Sequence, residues 1–298
     1  MITLSNRHYF EYAAACALGF DGQGWPHEQP LRWLGLLDPS LFTVFSKTLT
    51  RNPRPGNLRW YNPAGCIRLI RNGSKIIGVH NAVGLTNPGI DWYCRKIGPK
   101  VDSIKVPLAG SIYGDPHELG EMAQMLNDFD LVALEINAFC PNTPDGILTN
   151  TKKIIQGCFM VRDASRFPII LKVSPAHNVE SFIKQVEDYI EAISINSVPW
   201  QMIFPDQKSP LSHLGGGAVS GKVVQSFTWG MVKKLVELTD IPVIGPSVWD
   251  HPDIEKLRRI GAQAVSFGSV FIPYPCRPTQ FVGKDQRELE KKQGAQTR

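Results

Sequence analysis

The feature that most constrains the fold of this chain is a repeated alternation of two patterns that starts near residue 100. Short runs rich in β-branched and other apolar residues, such as 168–173, 192–195 and 264–267, are separated by stretches whose apolar residues recur at helical spacing. Strands that alternate with helices form a parallel sheet, because each helix returns the chain across the sheet. The number of these units in 298 residues favours a closed (β/α)8 TIM barrel over an open doubly wound sheet.

Turn and capping residues predict where several elements begin and end. Asn72-Gly73 predicts the turn of a hairpin, Asp115-Pro116 the start of a helix, and Asn178 the cap of a helix that reaches about residue 191. The other expected elements are strands at 42–45, 66–71, 75–79, 104–108, 131–134 and 241–244, and helices at 228–238 and 250–260. We expect one α/β domain over residues 1–282, with an N-terminal hairpin and loop insertions at the C-terminal face of the barrel. Residues 283–298 are expected to form a polar C-terminal tail, either a frayed helix or a loose segment.

Composition argues against several classes of function. The formal net charge of +5 is mild, and basic pairs such as Lys152-Lys153 and Arg258-Arg259 are short and scattered, so no nucleic-acid partner is expected. The six cysteines form no C-x-x-C pair and have no histidine at metal-ligand spacing, which indicates free thiols and no metal site. No apolar stretch has the length of a membrane span and the N-terminus does not resemble a signal peptide. We therefore expect a cytoplasmic protein with no membrane partner.

A thiol lies between two carboxamides in the segment that follows the apolar run 131–134. Asn137 comes three residues before Cys140, and Asn142 comes two residues after it. Amides that both donate and accept hydrogen bonds suit a flat polar heterocycle, and a thiol of lowered pKa can move one proton on it. Because a single cysteine of this kind is more often a small buried hydrophobe, the segment predicts a site only together with its neighbours.

Other polar residues and glycine-rich loops fall at the ends of the same predicted strands. They are Lys47, Asn81, Lys172, Asn196 and Ser197, together with the glycines at 215–217, Gly245 and Gly268. Each has a structural alternative: a lysine paired inside the barrel, an asparagine in a turn, or a glycine that only breaks a loop. Their coincidence at one end of the predicted barrel, where ligands bind in this fold, favours a ligand site.

The glycine loops and the lysines indicate the kind of ligand. Backbone N–H groups in the loops after the seventh and eighth strands of a barrel commonly bind phosphate, and these loops correspond to Gly245 and to Gly268-Ser269. A buried lysine beside an electron-accepting ring stabilises the charge that develops on reduction. These features favour flavin mononucleotide (FMN) as a cofactor, whereas no G-x-G-x-x-G motif indicates a nicotinamide-binding domain.

Six motifs, in order, resemble those of the dihydroorotate dehydrogenase family, most closely its soluble class 1 branch. The resemblance covers roughly residues 40–272. The motifs lie at 46–57, with an Arg-Pro-Gly-Asn ending, and at 81–89, 137–142, 171–175, 195–197 and 216–221. The family implies that residues 1–282 form an FMN-binding barrel that oxidises (S)-dihydroorotate to orotate in pyrimidine biosynthesis.

The resemblance also implies a role for each matching residue. Cys140 would be the base that removes a proton from C5 of dihydroorotate while hydride leaves C6 for the flavin, and Lys47 would act near the flavin and the substrate carboxylate. The implied substrate-binding residues are Asn81, Gly84, Leu85, Asn137, Asn142, Asn196 and Ser197. The implied cofactor-binding residues are Lys47, Asn137, Lys172, Gly217, Ser220, Gly221, Gly245, Gly268 and Ser269.

The chain departs from the family pattern at three places. Phe139 stands where the family has serine, Gly245-Pro246-Ser247 stands where it has a Gly-Gly pair for the phosphate, and Ala15-Cys16-Ala17 stands where it has Ala-Ser-Gly beside the flavin. Three alternatives stay open: a related flavin enzyme for another dihydropyrimidine, an RNA-modifying barrel of the dihydrouridine synthase type, and a non-catalytic flavin-barrel remnant. The lack of a basic face disfavours the second, and the retained lysines and thiol disfavour the third.

The electron acceptor is left open as well. Class 1 relatives either reduce fumarate as homodimers or pass electrons to a separate flavin and iron–sulfur subunit that reaches NAD. The resemblance therefore implies a pyrimidine as small-molecule substrate and a homodimer, with or without an electron-transfer subunit. Because the N-terminus has no membrane-associating extension, quinone is not the expected acceptor.

Overall fold

A computed structural model describes residues 1–59, 61–139 and 150–296, and these residues form fourteen strands and nine α-helices. The strands in chain order are β1 (Ile2–Thr3), β2 (Tyr9–Phe10), β3 (Tyr12–Ala15), β4 (Thr43–Phe45), β5 (Ile67–Asn72), β6 (Lys75–Asn81), β7 (Leu108–Ile112), β8 (Ala133–Asn137), β9 (Ile169–Val173), β10 (Ala192–Ile195), β11 (Val198–Pro199), β12 (Ala218–Gly221), β13 (Ile244–Gly245) and β14 (Ala264–Phe267). The helices are α1 (Gln29–Trp33), α2 (Ile90–Lys96), α3 (Pro116–Leu126), α4 (Thr151–Ala164), α5 (Ile183–Val186), α6 (Trp200–Ile203), α7 (Gln225–Leu238), α8 (Pro252–Arg259) and α9 (Arg277–Gln296).

Eight of the strands form the parallel barrel that the alternating pattern predicts. Their order around the sheet is β10, β9, β8, β7, β4, β3, β14 and β13, and each neighbouring pair is parallel. A parallel bridge between Ile193 and Val243 joins the two edges, and Ile193 N donates a 2.8 Å hydrogen bond to Pro242 O. The sheet therefore closes on itself, and the predicted TIM barrel is confirmed.

The interior of the barrel is filled by small and apolar side chains at the N-terminal ends of the strands. The buried cluster there contains Ala13, Phe45, Ala109, Ala133, Ile170, Ala192, Ile244 and Ala264. The β1–β2 hairpin is separate from the N-terminal hairpin predicted around Asn72-Gly73, and it contributes Ile2, Leu4 and Phe10 to the same cluster. This cluster, the apolar plug, fills the N-terminal end of the barrel, so among the described residues the C-terminal end is the one left for a ligand.

A four-stranded antiparallel sheet, the side sheet, stands beside the C-terminal end of the barrel. Its order is β11, β12, β6 and β5. Its strands come from the connections that follow β4 and β10, which is where barrels carry their insertions. The sequence placed Asn81 just after a barrel strand, and this is wrong, because Asn81 is the last residue of β6 in the side sheet. The hairpin of β5 and β6 is present, but Asn72 pairs with Lys75, so Gly73-Ser74 forms its turn.

Several element boundaries differ from the predictions for local reasons. The strand expected at 104–108 begins at Leu108, because residues 98–103 form a 3-10 turn. Asn178 makes no capping bond, and the helix expected after it is broken into a 3-10 turn, α5 and a second 3-10 turn. By contrast, Asp115 caps α3 as predicted: its carboxylate accepts from Glu118 N at 2.9 Å, and the Glu118 carboxylate accepts from Asp115 N at 3.1 Å.

Residues 283–296, which were expected to form either a frayed helix or a loose polar tail, continue helix α9 as far as Gln296. Asp285 on this helix is only 5% exposed. Its carboxylate accepts from Tyr12 Oη at 2.6 Å and from Arg258 Nη2 at 2.6 Å. This buried ionic contact docks the helix on the barrel. Within the described residues, no helix is long and apolar enough to cross a membrane.

Candidate functional site

A layer of buried polar side chains lies inside the barrel directly beyond the apolar plug. Each member follows an interior plug residue by two positions: Ser111 on β7, Glu135 on β8, Lys172 on β9 and Ser194 on β10. All four are more than nine-tenths buried. Because side chains in a strand alternate with a period of two, the register that puts apolar residues in the plug puts these polar residues in the C-terminal mouth.

The Glu135 carboxylate lies at the centre of this polar layer. Its Oε1 accepts from Lys172 Nζ at 3.1 Å and from Ser111 Oγ at 2.9 Å, while its Oε2 accepts from Ser194 Oγ at 2.9 Å. A buried carboxylate needs such partners, since an isolated buried charge is strongly unfavourable. Both oxygens are therefore held by side chains from β7, β9 and β10.

The Lys172 ammonium lies between this carboxylate and a thiol. Besides its bond to Glu135, it donates to Cys16 Sγ at 3.5 Å. Burial acts to lower the pKa of Lys172, but the interactions with Cys16 and Glu135 outweigh burial and raise the pKa above its ordinary value. Lys172 is thus the paired barrel lysine that the sequence left open as an alternative, and it is charged at neutral pH.

Cys16 reaches the polar layer because of an unusual backbone conformation. It follows β3 directly and has φ +55°, a left-handed value that is uncommon outside glycine. Its N–H donates to Phe45 O at 3.0 Å, and its Sγ lies 3.9 Å from Thr48 Oγ1. The departure Ala15-Cys16-Ala17 therefore places a thiol beside Lys172.

Asn137 and Asn196 are brought together at the ends of β8 and β10. Asn196 Nδ2 donates to Asn137 Oδ1 at 3.2 Å and to Phe139 O at 2.8 Å, and Asn137 Nδ2 donates to Thr48 Oγ1 at 3.2 Å. Asn196 Oδ1 accepts from Ser197 N at 2.8 Å. Three residues predicted to bind substrate thus lie in one hydrogen-bonded group, which we call the amide network. The network also connects to the polar layer, because Thr48 Oγ1 is 2.9 Å from Ser111 Oγ.

Phe139, which stands where the family has serine, takes part in packing around the loop after β9. Its ring meets the His177 ring edge-on, with centroids 5.3 Å apart, and the residue is 7% exposed. Its carbonyl accepts from Asn196. The larger side chain therefore contributes to the packing next to the amide network and leaves the network's bonds in place.

Lys47 lies beside the amide network because Thr48 is its neighbour in the chain. Its backbone N–H donates to Gly19 O at 2.8 Å. Its charge also acts on Cys66, just before β5: burial raises the pKa of the Cys66 thiol, and the positive charges of Lys47 and Arg59 oppose that rise. Lys47 therefore lies between the barrel mouth and the side sheet.

The side sheet brings Asn81 towards the same mouth. In its register Pro199 pairs with Ala218, and Ala218 pairs with Asn81. Two strand spacings of about 4.8 Å put Asn81 about 10 Å from Pro199, which follows Ser197 by two residues. Asn81 therefore lies on the same side of the barrel mouth as the amide network.

Gly84 and Leu85 lie in the loop after Asn81, and both have left-handed backbone conformations, with φ +69° and φ +55°. Asn57 braces this loop: its N–H donates to Val83 O at 2.9 Å, and its Nδ2 donates to Ala82 O at 2.8 Å. Asn57 closes the Arg-Pro-Gly-Asn motif, so one predicted motif supports another.

The predicted cofactor residues Gly217, directly before β12, and Ser220 and Gly221, within it, make structural contacts. A methyl group at Gly217 would come within 2.7 Å of Asn81 O, and one at Gly221 within 2.7 Å of the Trp249 ring. Ser220 Oγ donates to Val79 O at 3.4 Å. Packing in the side sheet therefore explains both glycines, and a close approach of a cofactor to them stays a prediction.

The loop after β13 turns two backbone N–H groups away from α7. Pro246 O accepts from Trp229 Nε1 at 3.1 Å, and Ser247 O accepts from Gln225 Nε2 at 2.9 Å, both donors being on α7. In a trans peptide the N–H points opposite to the preceding C=O, so the N–H groups of Ser247 and Val248 point away from that helix. Successive N–H groups presented in this way suit an anion, and the missing N–H of Pro246 does not remove them.

Gly245 and Gly268-Ser269 lie in adjacent loops, because β13 pairs with β14 in the register Gly245 to Val265. A methyl group at Gly245 would come within 2.7 Å of Leu257, whereas one at Gly268 would make only an ordinary contact with Ala15. The structure therefore brings the two predicted phosphate loops together. Cys140 and Asn142, in contrast, lie outside the described residues.

Sequence reasoning gave no role to four residues of the site. Glu135, Ser111, Ser194 and Thr48 all belong to the polar layer or bond to it. The signal that points to the first three is the alternation of side chains along the strands: each lies two residues beyond an alanine that faces the barrel interior. Thr48 has no such signal, because it lies beyond the end of β4.

The fold and the site define a TIM barrel with a polar mouth at the C-terminal ends of its strands, the architecture of many enzymes that act on small molecules. The family model for dihydroorotate dehydrogenase matches residues 6–273, and the chain belongs to this family. The family consists of flavin-dependent oxidoreductases that act on CH–CH donors.

Relatives and a solved structure agree with this assignment. The chain is 29% identical over 243 residues to a protein of Methanocaldococcus jannaschii named dihydroorotate dehydrogenase B (NAD(+)), catalytic subunit, covering 76% of this chain and 74% of the relative. A protein of the same name from Maridesulfovibrio salexigens is 30% identical over 241 residues, covering 77% and 75%. The crystal structure of a ligand-free dihydroorotate dehydrogenase from Eimeria tenella superposes with a TM-score of 0.70 at 16% identity, covering 95% of this chain and 85% of that chain, which supports the fold.

Proposed function

We propose that this chain oxidises (S)-dihydroorotate to orotate with FMN as its cofactor. The observation that carries the proposal is the amide network of Asn137 and Asn196 directly beside the buried Lys172 cation. A dihydropyrimidine presents alternating C=O and N–H groups, which carboxamides match as donors and acceptors. A fixed cation next to them favours a ring that gains electrons.

FMN fits the donor set of the described residues. The N–H groups of Ser247 and Val248, in the loop next to Gly268-Ser269, suit a phosphate. Lys172, Lys47 and Asn137 would meet the flavin ring, and Gly217, Ser220, Gly221 and Gly245 complete the proposed cofactor residues. When bound, FMN would accept the hydride that leaves C6 of the substrate.

The protein's own residues would bind the substrate and remove the proton. Asn81, Gly84, Leu85, Asn137, Asn142, Asn196 and Ser197 are the proposed substrate-binding residues. Cys140 would take the proton from C5 as a thiolate, and Lys47 would offset the charge of the substrate carboxylate. Asn196 would help to position Cys140, since its amide donates to the carbonyl of Phe139, the preceding residue.

The test is a visible spectrum of the purified protein before and after anaerobic addition of dihydroorotate. We expect flavin absorbance that bleaches with dihydroorotate, and bleaching slowed by at least about a hundredfold in Cys140→Ala, the usual size of a general-base contribution. Cys276→Ala, at a partly exposed cysteine outside the six motifs, is the matched control and should bleach like the wild type. A flavin that bleaches only with another dihydropyrimidine would transfer the proposal to that substrate, and a protein that takes up no FMN would overturn it.

The electron acceptor is proposed from the relatives' names. Both relatives above are named as catalytic subunits that use NAD(+). We propose that this chain likewise passes electrons to a partner subunit, and that the chain alone does not reduce NAD. A homodimer, a cytoplasmic location and a single domain over residues 1–282 stay predictions.

A further inference from the structure

We propose that Glu135 is a positioning residue: it holds Lys172 as the charged donor of the barrel mouth and, by offsetting that charge, limits how strongly the site favours reduced over oxidised flavin. The positioning part rests on the described geometry alone. The flavin part rests on the proposed function.

The first argument is that the Glu135 carboxylate has a single orientation. Ser111 on β7 donates to one oxygen and Ser194 on β10 donates to the other, at 2.9 Å each, and Lys172 donates to Oε1 at 3.1 Å. A lysine side chain has four rotatable bonds and is otherwise free to leave a site. With Glu135 fixed by two serines, the ammonium is fixed as well.

The second argument concerns charge. Lys172 and Glu135 are the charged pair of the polar layer, and their side chains are 7% and 1% exposed. In so buried a place, charges act on a neighbouring ring with little screening by water. Reduction adds negative charge to the flavin, which Lys172 stabilises and Glu135 opposes. The wild-type pair therefore presents almost no net charge to the flavin. Removing one partner leaves the charge of the other to act on the flavin alone.

The apoprotein gives a test of the positioning part that does not involve flavin. Glu135→Gln leaves a buried cation without its counter-charge, and Lys172→Met leaves a buried anion, so each should lower the thermal midpoint by roughly 10 °C. The double variant Glu135→Gln/Lys172→Met removes both charges and should recover at least half of the summed loss. Glu180→Gln is the matched control, because Lys234 and Glu180 are also 3.1 Å apart but exposed, and its midpoint should change by no more than roughly 2 °C. If the loss in thermal midpoint of the double variant equals the sum of the losses of Glu135→Gln and Lys172→Met, the positioning role is wrong.

The FMN-loaded protein tests the charge part through its reduction potential at pH 6.5. We expect Glu135→Gln to raise the potential and Lys172→Met to lower it, by about 30 mV for each tenfold change in the preference for reduced over oxidised flavin. Opposite signs are the informative result, because a merely structural disturbance has no reason to move the potential in two directions. Shifts of the same sign, or none, would overturn the charge role.

The two measurements separate this inference from the proposed function. Non-additive stability together with opposite potential shifts supports both parts of the inference, even if dihydroorotate turns out not to be the substrate. If the chain binds no FMN, the proposed function and the charge role fall together, while the stability cycle still decides the positioning role.

Discussion

The prediction developed furthest concerns Gly221, a glycine for which the sequence and the structure give different reasons. The family resemblance assigns Gly221 to cofactor binding, whereas the structure places it against Trp249 and Gly78. Its backbone has φ +99° and ψ −157°, a region that is essentially restricted to glycine. A methyl group there would lie 2.7 Å from a Trp249 ring carbon and 2.8 Å from the Gly78 Cα.

These contacts set the size of the effect of Gly221→Ala. The backbone conformation contributes about 1 to 3 kcal/mol of destabilisation, and overpacking against two neighbours adds about 1 to 3 kcal/mol. We therefore expect a loss of about 4 kcal/mol in the free energy of unfolding. For a chain of this size, that corresponds to a fall of roughly 10 °C in the thermal midpoint.

Gly215 provides the matched control. It also has a left-handed backbone, with φ +88°, but no atom lies within 4 Å of a methyl group built on it. Gly215→Ala should therefore cost only the conformational part, about 1 to 2 kcal/mol. Thermal unfolding of the two apoprotein variants beside the wild type measures the difference. Equal losses would refute the crowding by Trp249, and a stable Gly221→Ala protein that no longer binds FMN would restore the cofactor explanation.

Two further predictions concern titration and the C-terminal helix. Burial lowers the pKa of His80 below its ordinary value, so near and below about pH 6.5 the folded state binds fewer protons than the unfolded state, and stability should fall on acidification from pH 7.5 to 5.5. The thermal midpoint of His80→Gln should fall less over the same pH range, and a pH dependence equal to that of the wild type would contradict this assignment. Asp285→Asn removes the charge that pairs with Arg258 at 2.6 Å and should destabilise the protein by about 3 kcal/mol, whereas Glu290→Gln on the exposed part of the same helix should leave the denaturation curve in place.

Much of the barrel could be predicted because seven of its eight strands leave a local pattern, whereas β3 was not expected. The run at 169–173 is buried at every position, so the segment reads as apolar apart from Lys172, and the Asp115–Glu118 capping box marks the start of α3 directly. Predictions failed where a residue type fits more than one local structure: asparagine commonly caps helices, but Asn178 makes no capping bond. The β1–β2 hairpin consists of two-residue strands, which are too short to show any period.

The site could be predicted in part. Motifs identified Lys172, Asn137 and Asn196, and the structure brings the last two within hydrogen-bonding distance. The pairing of Lys172 with Glu135 could not be foreseen, because 37 residues and a helix separate them and only the register of β8 with β9 makes them neighbours. Asn81 was misplaced because an antiparallel strand of the side sheet and a barrel strand have the same local pattern.

The register of β6 with β12 limits how this site can diverge in evolution. His80 and Asn81 are consecutive residues of one strand and so point to opposite faces; His80 is 1% exposed and bonds Gly216 O at 2.8 Å. Inserting or deleting one residue in β6 would exchange the two, burying the carboxamide and exposing the imidazole. New substrate preferences at this edge of the barrel should therefore arise in descendants by point substitution, while changes in length accumulate at the Gly73-Ser74 turn, where neither residue is displaced.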